Sequence, residues 1–70
     1  LSGVKRAAEA GDLTPDVLKD NFGAGGIDDM LQNAEADLAA ALNDPNMTPE
    51  ELENLRFIVT TLQQTKEQYY

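Results

Sequence analysis

Cysteine, histidine and tryptophan are absent from these 70 residues, and serine occurs once, at Ser2. Without cysteine there is no disulfide framework, and without cysteine or histidine the usual zinc ligands are missing. Nucleophilic triad chemistry lacks its base and all but one hydroxyl of the serine type. The composition therefore argues for a protein that is not an enzyme, with no catalytic residue, no metal and no cofactor. Long apolar runs are missing too: no stretch approaches the ~20 residues needed to span a bilayer, and residues 1–26 lack the basic-then-apolar layout of a secretory signal. The reading is a soluble protein whose compartment stays open, the cytoplasm being favoured. The chain begins at Leu1 rather than methionine, which is compatible with a fragment or a processed chain.

Basic residues are scarce as well. Net charge is −8, and between Lys19 and Arg56 there is no lysine or arginine, while Asp20, Asp28, Asp29, Glu35, Asp37, Asp44, Glu50, Glu51 and Glu53 supply nine negative charges. The rest of the chain sums to +1. Such a surface repels phosphate backbones and anionic lipid and attracts basic partners, so direct nucleic-acid binding is not expected. Solubility alone would also account for the charge.

At this length a single domain is the limit, and its core outweighs chain entropy only narrowly. The strongest pattern is helical. Ile27, Leu31, Ala34, Leu38 and Ala41 step by 4, 3, 4, 3, with Met30 and Leu42 widening the stripe. Asp28 and Asp29 are expected in the first turn of that helix, and Asn43 before Asp44-Pro45 ends it, with a left-handed cap in view. Thr48-Pro49-Glu50-Glu51 has the capping-box form, and Leu52, Leu55, Val59, Leu62 and Tyr69 then hold a heptad interrupted by Lys66. Ile58 broadens this stripe; Phe57 and Thr61 lie off it. FIVTTL at 57–62 is rich in strand formers but sits inside a capped helical period.

Upstream, residues 2–10 suit a short helix with Ser2 as N-cap and Gly11 as stop, its small apolar face being Val4, Ala7 and Ala8. Thr14-Pro15 opens a second short helix through about Asp20, with Leu13, Val17, Leu18 and Phe22 on its buried side. Three glycines between Gly23 and Gly26 read as a flexible breaker and hinge.

The expected fold is all-α: an antiparallel helical hairpin (about 27–42 and 49–69) with one or two short N-terminal helices packed against it. The domain division is 1–22, short helices; 23–26, glycine-rich hinge; 27–70, hairpin. The later helix is expected to overhang, carrying Lys66, Tyr69 and Tyr70.

Three site motifs fail at the residues that define them. Asp20 to Leu31 puts Gly25 and Ile27 at the sixth and eighth positions of a calcium loop, but Phe22, Ala24 and Leu31 stand where ligands belong. The glycines ahead of Asp28-Asp29 do not make a phosphate cradle, since no strand precedes and no lysine follows. Small acidic helical chains resemble acyl carrier proteins, yet Gly26-Ile27-Asp28-Asp29-Met30-Leu31 holds no serine for the prosthetic arm.

What remains is apolar surface. Leu52, Leu55, Ile58, Val59, Leu62, Ile27, Leu31 and Leu38 supply a groove or helix face with acidic residues at its rim. The residues expected to touch a partner are Met30, Phe57, Ile58, Leu62, Tyr69 and Tyr70; for Tyr69, packing on the N-terminal helices is the competing role. The expected function is a protein-interaction module, chaperone or adaptor, for a partner with a basic or apolar helical surface. Over about residues 27–69, with its turn at Asp44-Pro45 to Pro49, the hairpin resembles in architecture the helix-turn-helix subunits and chaperones of bacterial secretion needles. That resemblance implies the alternative of a self-assembling structural subunit, a homo-oligomer. A third alternative is an acidic inhibitor that imitates nucleic acid to block a basic protein.

Overall fold

The computed structural model of the chain describes residues 2–70, the side chain of Ser2 excepted. Four helices follow one another: α1 (Ser2–Ala10), α2 (Pro15–Asn21), α3 (Ala24–Leu42) and α4 (Pro49–Tyr69). The expected cap at Ser2 concerns a side chain outside the described residues.

Helix ends follow local chemistry. Gly11 adopts φ +79°, and there Asp12 N–H donates to the Ala7 carbonyl (2.8 Å) and Gly11 N–H to that of Ala8 (3.2 Å), a Schellman closure that satisfies the last carbonyls of α1. Thr14 Oγ1 accepts from Val17 N–H at 3.2 Å, with Pro15 in the first turn. The Thr48 hydroxyl oxygen accepts from Glu51 N–H at 3.2 Å, the forward half of the expected box, and α4 runs over Pro49–Tyr69 as the pattern required. Between α3 and α4, Asn46 N–H donates to Asp44 Oδ1 (2.9 Å) in an Asx turn. Asn43 ends α3 with φ −98°, so the left-handed cap does not form; its side-chain amide instead donates to the Ala39 carbonyl at 3.2 Å.

The glycine segment departs from expectation. Ala24, Gly25 and Gly26 are the first turn of α3, with Gly23 as N-cap and Ile27 N–H donating to the Gly23 carbonyl at 3.0 Å. Glycine's entropic cost is real, but packing and propagation of the following helix outweigh it. Two consequences follow. Asp28 and Asp29 lie beyond the first turn, and α3 reaches far enough back that α4 has little overhang.

Lys66, near the end of α4, pairs with Asp28, near the start of α3, at 2.8 Å. This fixes the two long helices as antiparallel. Both short helices pack chiefly on α4, so α4 has three neighbours where the hairpin reading gave it one principal seam. The core joins Val4 of α1, Leu13 and Leu18 at α2, Ile27 and Ala34 of α3, and Ile58, Val59 and Leu62 of α4. Having neighbours on several sides draws two polar positions inside: Thr61, expected off the stripe, is buried, and Thr65 has 0% exposure. Their hydroxyls donate to the carbonyls of Phe57 and Thr61, each at 2.7 Å, so neither is buried unpaired. On α2, in contrast, Val17 and Phe22 stay 40% and 38% exposed, contrary to the expected buried side.

Candidate functional site

The six residues expected at a partner surface separate into three groups. Ile58 and Leu62 are core, at 3% and 0% exposure, on a helix that packs against α1, α2 and α3. Leu62 is sealed from any partner in this conformation, which corrects the expectation, and Ile58 is covered except where it lines a slot between α3 and α4. Tyr69 and Tyr70 do not project from an overhang. The Tyr69 hydroxyl donates to Asp16 Oδ1, Lys19 Nζ sits 4.6 Å from the centroid of the Tyr69 ring, and the Tyr70 hydroxyl donates to the Phe22 carbonyl at 3.1 Å. All three contacts tie the end of α4 to α2. Tyr70 at 53% and Tyr69 at 36% nonetheless keep exposed surface, as does Phe57 at 45%, while Met30 is half-buried against the core.

Electrostatics at the clasp follow from these contacts. The hydrogen bond to Asp16, then partial desolvation and the negative charges of Asp16 and Asp20, raise the Tyr69 hydroxyl pKa above its ordinary value. The hydrogen bond and charge of Asp28, with a further contribution from Glu35, raise that of Lys66. Both groups are solvent-exposed, so these are shifts of titration rather than large stability terms.

Among the concavities outside the core, one of 530 Å³ is lined by Leu31, Gln63, Lys66, Glu67 and Tyr70, and three more bear on a partner surface. The first is an apolar groove of 330 Å³ between α1, α2 and the first half of α3; Val4, Leu13 and Leu18 form its floor, and Val17, Phe22 and Met30 its exposed sides. No charged residue lines it. Sequence reasoning placed Val17 and Phe22 inside, and nothing in a seven-residue helix with apolar positions on more than one side could have told which would be covered. The second is a slot of 320 Å³ where α3 and α4 approach their connecting turn, with Ala34, Ala41, Leu55 and Ile58 beneath Asp37, Asp44 and Lys5. The third, 810 Å³, is a shallow charged cleft between α1 and the start of α4 that contains Phe57 with Glu50, Glu51 and Glu53. Asn54, which also borders it, has a shielded Nδ2 without a hydrogen-bond partner.

Among the described residues no three acidic side chains converge in a geometry that could hold a metal ion, and no helix is long and apolar enough to cross a membrane. The class defined at this point is a small all-α domain built on an antiparallel hairpin. Comparisons with protein-family models, curated proteins and solved structures return no significant match.

Proposed function

We propose that the chain is a non-enzymatic protein-interaction module whose apolar groove between α1, α2 and α3 receives a helix of a basic partner. The observation that carries this reading is the uncharged groove itself, where Val17 and Phe22 remain exposed beside Met30 in a domain that otherwise has a small, closed core. Exposed apolar surface in a concave setting is a recurrent mark of recognition, and methionine adapts its shape to what it meets. A net charge of −8 would speed encounter with a cationic partner without deciding where that partner docks.

A pull-down from the native source, with the chain and its Val17→Ser/Phe22→Ser double variant run side by side at low salt and at ~0.5 M salt, tests the reading. Capture by the parent chain that survives high salt and fails for the variant supports an apolar groove contact. Capture released entirely by salt and indifferent to the variant would transfer support to the nucleic-acid mimic. Light scattering that shows concentration-dependent growth beyond a dimer would transfer it to the self-assembling subunit.

A further inference from the structure

We infer that the slot between α3 and α4 is a receptor for one long cationic side chain, lysine or arginine, carried by the partner's helix. This rests on the interaction-module reading above and deepens it by assigning a second contact with its own chemistry. The slot, about 320 Å³, has room for one long side chain. The small residues Ala34, Ala40 and Ala41 on α3 leave that space beside Leu55 and Ile58 of α4, giving an apolar bed for an alkyl stem.

Charge selects the tip. Asp37 of α3 and Asp44 of the connecting turn both border the slot. Neither Asp37 nor Asp44 forms an ion pair among the described residues, and with Lys5 at the same slot the charged lining carries two negative charges against one positive. Asp44 uses Oδ1 to accept from Asn46 N–H at 2.9 Å, which holds its carboxylate in place and leaves the other oxygen available. An alkyl stem with a cationic head matches both halves of the site, in the way long basic side chains cover apolar surface while their heads stay wet. A neutral apolar side chain would leave the carboxylates unused, and an anion would meet repulsion from both. Lys5 lines the same slot and opposes an incoming cation, so its removal has a defined sign.

The test uses the full chain and three capped 16-residue alanine-based helical peptides carrying leucine and, four residues on, lysine, norleucine or glutamine. Amide chemical-shift titration locates binding. The lysine peptide is expected to shift Ala34, Ala40, Ala41 and Leu55 with millimolar or tighter affinity, and the norleucine peptide to bind several-fold more weakly. Asp37→Asn should weaken the lysine peptide about 3-fold, the scale of one exposed ion pair, and Lys5→Gln should tighten it. Ala40→Phe, at an exposed position, should fill the slot and abolish the shifts. Equal affinity for the norleucine peptide, indifference to Asp37→Asn, or no shift at the four slot residues overturns the assignment. Shifts confined to Val17, Phe22 and Met30 would overturn the slot while leaving the groove reading intact. Slot shifts together with a pull-down indifferent to Val17→Ser/Phe22→Ser would do the reverse.

Discussion

Leu62 and Phe57 are five residues apart on one helix, yet the first is sealed in the core and the second stands 45% exposed. Truncation should separate them. Leu62→Ala removes buried methyl groups from a close-packed setting and is expected to cost about 2–5 kcal/mol by urea unfolding, whereas Phe57→Ala should cost much less. Equal losses would mean that Phe57 is covered. Thr65 makes a finer case: its hydroxyl returns to its own helix, to a carbonyl that helix geometry already serves. Thr65→Val keeps the shape and is expected to change stability by less than ~1 kcal/mol, against a larger loss for a charged replacement at the same site. Tyr69 adds a pH dependence. Its pKa is raised in the folded chain, so its contribution is complete below the ordinary tyrosine range and is lost as pH rises through and beyond ~10. Lys66 acts in the same direction through its pair with Asp28. Alkaline titration of stability should therefore fall more steeply for the parent chain than for Tyr69→Phe; parallel curves would remove the Asp16 contact from consideration.

At the scale of elements, α4 was legible because Thr48, Pro49 and Glu51 mark its start and a heptad, broken only at Lys66, runs to Tyr69. The start of α3 was not. Glycine propensity is a local quantity, and at a helix N-terminus the first amides lack intrahelical partners whatever the residue, so Gly25 and Gly26 can be recruited by the long helix behind them. That account makes a directional statement about Gly25, where an added Cβ would meet nothing within 4 Å. Gly25→Ala should stabilise the domain by about 0.5–1 kcal/mol, measured as a shift of the urea midpoint with unchanged slope. A hinge that must leave the helical region would show no gain. The buried side of α4 was legible only in part. A heptad presumes one partner seam, which found Val59 and Leu62, but packing against α1, α2 and α3 together also takes in Ile58, Thr61 and Thr65.

For the whole molecule, the N-terminal third is what converts a hairpin with an open face into a closed domain. Leu13 and Leu18 enter the core, and Tyr69 and Tyr70 fasten α2 to the end of α4. The candidate partner surface moves accordingly: of the six residues named from the pattern, Met30, Phe57, Tyr69 and Tyr70 keep accessible surface, while Val17 and Phe22 were missed because a short helix gives too few turns for its covered side to be read. Because the chain has no cysteine, single-cysteine variants report accessibility without background. Ile58→Cys, Leu62→Cys and Phe57→Cys, each treated with a thiol reagent under native conditions, probe most directly whether α1 and α2 cover α4. Phe57→Cys is expected to react at the rate of a free thiol and the other two at least ~100-fold more slowly, governed by opening of the domain. Rapid reaction at Ile58→Cys and Leu62→Cys in variants that remain folded would show the hairpin uncovered and return the contact surface to its inner stripe.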